Sequence, residues 1–248
     1  MWTREQIKAN AKIVMAKNYW MMMGVSALYS VLAGMFSSAS SGVSSYLSES
    51  SYYIPTEVVL MIAGFVIVLS IVSILFSIFV SGPLEVGKDR FYMCSRLQQT
   101  PFGELFCAFK SGKGYYMNIV KTQFLRRLYT ALWSLLLIVP GIVKSYEYYM
   151  VPYILAENPN ISSARAFELS KIMTNGEKWN IFVLELSFIG WQFLGMIACC
   201  IGTYFVLPYM DSTFAELYEA MRAKAFDMGA TSEDELCNFY YPGNGQNF

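Results

Sequence analysis

The stretch VVLMIAGFVIVLSIVSILFSIFV, at residues 58–80, is strongly apolar and contains no charged residue. Its 23 residues would form a helix about 34 Å long, because each residue of an α-helix adds about 1.5 Å. The hydrocarbon core of a bilayer is about 30 Å thick, and an apolar run of this length is typical of a transmembrane helix. The stretch therefore predicts a membrane-spanning helix, and it sets the fold class of the whole chain.

Five further apolar segments predict membrane spans, and they lie at residues 19–36, 128–140, 142–157, 180–197 and 203–220. Together with 58–80 they predict an all-α, polytopic membrane bundle of about six transmembrane helices, arranged as three hairpins. Amphipathic segments at residues 3–17 and between the spans predict additional helices on the cytoplasmic surface, and the serine-rich residues 37–57 predict an external loop. Residues 1–225 form the predicted membrane domain, and residues 226–248 form a predicted flexible cytoplasmic tail.

The third and fourth predicted spans are short, and Pro140 and Gly141 separate them. Two complete crossings would need aromatic and basic flanking residues to reach both faces of the bilayer. A hairpin that enters and leaves on one side is the alternative.

The distribution of basic residues predicts the orientation. Of the 18 Lys and Arg residues, 17 lie in segments that this topology places on one side, and only Lys144 falls on the other. Loops rich in Lys and Arg remain in the cytoplasm, so both termini are expected there. The predicted location is the cell membrane, with the lipid bilayer as the principal partner.

The composition excludes several functional classes. Hydrophobic residues make up 55% of the chain and charged residues 15%, against about 25% charged in ordinary soluble domains. Lys plus Arg equals Asp plus Glu, so no basic field favours nucleic acid. The sequence contains no histidine, and its five cysteines form no CxxC pair. We therefore expect no cofactor, no metal site and no enzymatic activity.

Several motifs carry a resemblance to a known family. They are GPLEVG at residues 82–87, LLLIVPGIVKSYEYYMVPYILAENP at 135–159, GEKWNIFVLELSFIGW at 176–191 and IGTYFVLPY at 201–209. With them the chain resembles the domain of unknown function 975 family, which comprises bacterial inner-membrane proteins of six spans. The resemblance implies a fold and a location, and it brings no functional residues because the family has no established activity.

Charged residues within the predicted spans are the first candidates for a site, because burying a charge in hydrocarbon costs a few kcal/mol. Asp211 is the deepest of them, and Glu185 lies inside the fifth span. Lys144 and Glu147 are one helical turn apart and are expected to pair near the outer surface or to reach water there.

A serine stripe and four prolines complete the set of candidates. Ser70, Ser73 and Ser77 share one face of the second span, where they favour close helix packing or, alternatively, the wall of a polar pathway. The proline residues could bend helices, for packing or to line a polar cavity. They are Pro83, Pro140, Pro152 and Pro208.

Two functions remain open from the sequence. The first is a membrane protein that handles a small or amphiphilic solute, or assists a lipid or envelope process, through a cavity near Glu185, Asp211 and the serine stripe. The second is a non-transporting scaffold that binds a membrane or cytoplasmic protein partner through its cytoplasmic surface helices. An intramembrane enzyme would need a nucleophile or metal cluster that this sequence does not suggest.

Overall fold

The computed structural model describes residues 2–50, 56–97, 99–197 and 201–236. These residues fold into helices, and no strand occurs among them, which confirms the all-α class. The helices are α1 (Arg4–Ser50), α2 (Thr56–Phe76), α3 (Gly82–Leu97), α4 (Cys107–Lys110), α5 (Lys113–Leu136), α6 (Ile138–Glu147), α7 (Val151–Glu157), α8 (Ser163–Thr174), α9 (Lys178–Ile197) and α10 (Ile201–Asp227).

Helix α1 bends at Asn18, whose φ of −148° and ψ of 40° are not helical. The bend separates the predicted amphipathic surface helix from the first predicted span. Beyond that span the helix continues to Ser50, although the serine-rich segment 37–50 was expected to be a loop. Serine prefers caps and turns, which motivated that expectation, whereas a helix that has already formed adds further residues at little cost.

Helices α2 and α3 are continuous through a π-helical segment, Ser77–Ser81. Pro83 lies directly after this segment, at the second position of α3. Proline has no N–H and cannot continue a regular helical ladder, and a wider turn accommodates the change of register.

The fourth predicted span, 142–157, is divided between two helices. Helix α6 ends at Glu147, a turn follows, and α7 begins at Val151 with Pro152 in its first turn. Proline is favoured there, because the first N–H groups of a helix have no intrahelical partner. All seven residues of α7 are buried, so this segment belongs to the core and does not face lipid.

The other two prolines occupy different settings. Pro140 is the third residue of α6, so it helps to start that helix, and Pro208 lies inside α10. The proline candidates therefore do not share one role.

Three pairs of consecutive helices are in contact: α1 with α2, α5 with α6 and α9 with α10. Helix α1 also packs along α10, which connects the first pair to the third. The core lies where α3, α7, α8 and α10 meet, and its largest buried side chains include Leu84, Tyr92, Ile154, Leu169 and Tyr218.

The first part of the predicted tail is folded onto the helices. The Arg222 guanidinium donates to the Leu236 carbonyl at 2.7 Å, and Leu236 is buried. Arg165 of α8 donates to Glu235 at 2.7 Å, and the Asn158 amide donates to the Glu235 carbonyl at 3.0 Å. The remainder of the predicted tail, 237–248, lies outside the described residues.

Within the described residues, two helices are long and apolar enough to cross a membrane. They are the continuous helix over Leu60–Leu97 and α9, Lys178–Ile197. None of the apolar window of the first is buried, and 22% of the window of the second is. The structure therefore supports membrane association, while six crossings and their orientation stay predictions.

Candidate functional site

A groove of about 720 Å³ lies between the α5–α6 pair and α9. We call it the interhelical groove, and its lining consists of Arg126, Arg127, Thr130, Ala131, Ser134, Ile142, Ser145, Tyr146, Tyr149, Phe182 and Glu185. Its volume is within the usual range for small-molecule sites. Charged, hydroxyl and apolar side chains all line it, so it can contact both parts of an amphiphile.

Two guanidinium groups on α5 contribute positive charge to the groove. Arg126 donates to both oxygens of Glu85, at 2.8 and 2.9 Å. Arg127 donates to the same carboxylate at 3.3 Å and to Ser77 Oγ at 2.6 Å. The two guanidinium groups thus share the Glu85 carboxylate, and the contact of Arg127 with it is the longer of the two. About a third of the Arg127 side chain is exposed, so its charge is accessible.

Helix α9 contributes the one carboxylate of the lining, Glu185. The Tyr146 hydroxyl on α6 donates a hydrogen bond to it. The Tyr146 ring lies edge-on to Phe182, with ring centroids 6.2 Å apart. Sequence analysis selected Glu185, and the structure shows that its partner comes from α6.

Lys144 and Glu147 form an ion pair of 2.8 Å, as expected from their spacing. The partners of Glu147 were not expected, because Lys178, the first residue of α9, binds its other oxygen at 2.9 Å. Ser170 of α8 donates to the Glu147 carbonyl at 2.7 Å. The pair therefore lies at the start of α9 and beside α8, both of which the predicted topology assigns to the cytoplasmic side.

Asp211 is buried and does not line the interhelical groove. Lys88 Nζ of α3 donates to its Oδ1 at 2.6 Å, and Ser26 Oγ of α1 donates to its Oδ2 at 2.5 Å. Asp89 lies 3.6 Å from the same ammonium group. A buried and closely paired carboxylate is typical of a structural link, here between α1, α3 and α10.

The serine stripe divides into two environments. Ser70 and Ser73 each donate to a carbonyl one turn earlier in α2, at 2.8 Å, so their hydroxyls serve their own helix. Ser77 instead accepts a hydrogen bond from Arg127. The structure thus brings Ser77 close to the groove, while Ser70 and Ser73 do not line it.

The residues that complete these clusters were not predicted as part of a site. Glu85, Lys88, Arg126 and Arg127 lie in the segment between the second and third predicted spans, which was assigned to the cytoplasm because it is rich in basic residues. The sequence did contain a signal: Glu85 and Lys88, which have opposite charges, follow shortly after the apolar run at residues 58–80. Which charges pair depends on tertiary contacts between residues as far apart as Lys88 and Asp211.

Neither of the two cysteines in the described part of the chain, Cys94 and Cys107, lines the interhelical groove. Burial raises the pKa of the Cys107 thiol to about 12, so the thiol remains protonated and is a poor nucleophile and metal ligand at neutral pH. Among the described residues, no group of three or more His, Cys, Asp or Glu side chains is placed to hold a metal ion.

Comparison with known families addresses the stretch that contains the groove. Residues 105–225, just under half of the chain, match the family described as "Protein of unknown function (DUF975)". The chain resembles the DUF975 family. All of the residues that line the groove lie within the DUF975 match, whereas Glu85, Lys88 and the first two helices precede it. No curated protein and no solved structure matches the chain.

Proposed function

We propose that the chain is a multi-pass protein of the cell membrane with both termini in the cytoplasm, and that its interhelical groove binds an amphiphile with an anionic headgroup. The observation that carries the proposal is the accessible guanidinium of Arg127 in a groove whose other walls include Ile142 and Phe182.

The exposure of apolar side chains supports the membrane location. Large aliphatic and aromatic side chains of α2, such as Leu60, Phe65 and Ile67, are more than half exposed. Soluble proteins rarely expose apolar surface on this scale, whereas a lipid-facing helix must do so.

The exposed guanidinium of Arg127 supports an anionic headgroup. Arg126 and Arg127 share the Glu85 carboxylate, Glu185 lies on the α9 wall of the groove, and Arg127 is the more exposed of the two guanidinium groups. Guanidinium groups bind phosphate and carboxylate through paired hydrogen bonds, which are stronger when the surroundings are apolar. The hydroxyls of Ser134 and Ser145 also line the groove, where they can serve the polar part of the ligand.

Lipid titration tests the proposal. The protein is placed in nanodiscs of phosphatidylcholine, and binding of fluorescent phosphatidylglycerol is compared with that of fluorescent phosphatidylcholine. Arg127→Gln should weaken phosphatidylglycerol binding roughly tenfold or more, because a hydrogen bond to a charged group contributes about 1.5–3 kcal/mol. Arg127→Lys should retain part of the binding, because it keeps the charge.

Lys171→Gln serves as the matched control, because Lys171 is an exposed cation on α8 outside the groove. It should bind phosphatidylglycerol like the wild type. Equal binding by the wild type and Arg127→Gln, or equal binding of both lipids, would contradict the proposal.

A scaffold is the second candidate, and one observation favours it. Asp211, the deepest charged residue of the predicted spans, is buried in contacts that join three helices. In a scaffold the charged residues stabilise the bundle, and the cytoplasmic helices bind a protein partner. Loss of phosphatidylglycerol binding in Arg127→Gln with unchanged thermal stability would favour the groove over the scaffold.

A further inference from the structure

We infer that the α5–α6 pair is a re-entrant hairpin that enters the bilayer from the cytoplasmic side, turns within the hydrocarbon core and returns to the same side. The inference rests on the proposed membrane location. The hairpin surface would contact the acyl chains of the cytoplasmic leaflet, and the chain would cross the membrane four times, through α1, α2, α9 and α10.

The end of α6 and the start of α9 lie at the same level. Glu147, the last residue of α6, binds Lys178, the first residue of α9, at 2.9 Å. The Glu147 carbonyl also accepts a hydrogen bond from Ser170 of α8. The end of α6 and the start of α9 therefore lie on the same side of the membrane, which is the side where the predicted topology puts Lys178.

Helix length limits how far the hairpin can reach. Helix α6 has ten residues, so it rises at most about 15 Å from Glu147 to Ile138. Helix α9 has twenty residues and rises about 30 Å, enough to cross the hydrocarbon core. The turn of the hairpin can therefore reach only about half the height of α9, and any tilt of α6 would shorten its reach further.

The chemistry of the turn agrees with a position in hydrocarbon. Residues 135–139 have the sequence LLLIV, and these five side chains are 62–85% exposed. A turn in water normally contains polar residues and glycine. Five exposed aliphatic residues would be unfavourable in water and favourable among acyl chains.

The backbone of the turn is suited to a medium without water. Leu137 is the only residue between α5 and α6, and its N–H donates to the Trp133 carbonyl at 3.1 Å. The Gly141 N–H donates to the Leu137 carbonyl at 3.2 Å, and Pro140 has no N–H to satisfy. These two bonds reduce the number of unpaired backbone groups at the turn, which lowers the cost of a chain reversal at this depth.

Gly141 allows the two arms to lie close together. A Cβ atom at Gly141 would lie 2.6 Å from Ser134 Cα, a distance that no side chain tolerates. The arms thus meet backbone to backbone near the turn, as small residues permit between membrane helices.

The basic residues agree with the same placement. Lys144, the single basic residue that six crossings would leave outside, lies one turn before Glu147 and pairs with it. A re-entrant hairpin brings Lys144 to the cytoplasmic side with every other Lys and Arg of the chain. Arg127 and Lys144 on the arms then lie where anionic headgroups of the inner leaflet can bind them.

Cysteine labelling tests the inference. All five native cysteines are replaced by alanine, and single cysteines are introduced by Leu137→Cys at the turn, Ser44→Cys in the predicted outer segment and Lys171→Cys on the predicted inner surface. Intact cells are treated with a membrane-impermeant maleimide, and a second sample is treated after permeabilisation. A third sample is denatured in detergent, which shows that each thiol is present.

We expect Ser44→Cys to react in intact cells, Lys171→Cys to react only after permeabilisation, and Leu137→Cys to react only after denaturation. A bimane attached at position 137 should be quenched most strongly by lipids brominated near the ends of their acyl chains. Val139→Cys provides a second turn position if Leu137→Cys does not fold.

Reaction of the turn cysteine in intact cells would overturn the re-entrant hairpin in favour of two complete crossings. Its reaction after permeabilisation alone would place the turn in cytoplasmic water and would also overturn it. Failure of Ser44→Cys to react from outside while the turn cysteine stays protected would instead count against the proposed orientation, so the two failures are distinguishable.

Discussion

Asp211 accepts hydrogen bonds from Lys88 and Ser26 and is shielded from solvent, so its carboxylate joins α1, α3 and α10. Glu185, in contrast, lies on the wall of the interhelical groove. Two acids that look alike in the sequence, each inside an apolar segment, therefore have different surroundings. Asp211 holds helices of the bundle together, and Glu185 lines the interhelical groove.

Removal of the Asp211 charge should destabilise the protein strongly. Asp211→Asn leaves the Lys88 ammonium without its nearest counter-charge, and breaking a buried pair in this way costs about 3–5 kcal/mol. Glu168→Gln is the control, because Glu168 forms an exposed ion pair with Arg165 that should contribute about 0–1 kcal/mol. Thermal unfolding in detergent, followed by tryptophan fluorescence, measures both.

The double variant Lys88→Met with Asp211→Leu should recover part of the lost stability, because it removes both charges together. Equal unfolding temperatures for Asp211→Asn and Glu168→Gln would show that the buried pair does not hold the helices together.

At this scale the sequence was informative about which charges lie within apolar segments and uninformative about their partners. Asp211, Glu185, Lys144 and Glu147 were identified because an acid or a base in an apolar run is conspicuous. Their partners Lys88 and Tyr146 were not, because a lysine beyond the end of a span and one tyrosine among many have no distinctive local pattern. Pairing of this kind depends on how the helices pack, which periodicity does not encode.

At the scale of single elements, residues 228–236, which we call the strap, fold back from the end of α10 onto α8. Arg165 of α8 and Thr231 both bind the Glu235 carboxylate, at 2.7 and 2.9 Å. The hydrogen bonds from Arg165 hold the pKa of Glu235 below its ordinary value of 4.5. Since the folded pKa is depressed, the contribution of this contact is present above pH 4.5 and is lost as the pH falls through the lower, folded value.

The protection of the amides of residues 228–236 against hydrogen exchange, expressed relative to the intrinsic exchange rate at each pH, should therefore be high at neutral pH and should fall below pH 4.5. In Glu235→Gln the protection should already be lower at neutral pH and should show little further change on acidification. Glu233→Gln is a suitable control, because Glu233 is an exposed acid of the same segment. Loss of protection at the same pH in the wild type and in Glu235→Gln would contradict the role of the Glu235 carboxylate in holding residues 228–236 in place.

Helix types were predictable where a long apolar run or a regular stripe dominates, as in α2 and α8. The boundaries of the helices were harder to predict than the helix types. The division between α6 and α7 depends on Pro152 and on burial of α7, and an apolar sequence alone cannot distinguish a lipid-facing helix from a core helix. Residues 228–236 appeared loose because they are polar, yet three side chains from earlier helices bind them.

At the scale of the whole molecule, apolar side chains are buried around α3, α7, α8 and α10 and are exposed on α2, on the α5–α6 turn and on α9. A protein with one part in water and the other in lipid is expected to bury its apolar side chains in the first part and to expose them in the second. The segregation of basic residues, read from the sequence alone, predicts the same polarity. A cavity near Glu185 was expected from the sequence, but its walls on α5 and α6 could not be predicted, because they depend on how helices that are distant along the chain pack together.

The proposed lipid site and the proposed re-entrant hairpin both point to the cytoplasmic leaflet of the bilayer. A hairpin that reaches only mid-bilayer, with Arg127 near its base, opens the groove to lipids of the cytoplasmic leaflet. An amphiphile in the groove would then place its headgroup at Arg127 and its chain along Ile142 and Phe182.

Photo-crosslinking with a phosphatidylglycerol that carries a diazirine in one acyl chain tests this account most directly. Peptide mass spectrometry of the protein in nanodiscs should locate crosslinks on the groove faces of α5, α6 and α9. Arg127→Gln should remove these crosslinks, while those on the outer face of α2 persist. Crosslinks spread equally over all lipid-facing helices, and unchanged by Arg127→Gln, would contradict the account.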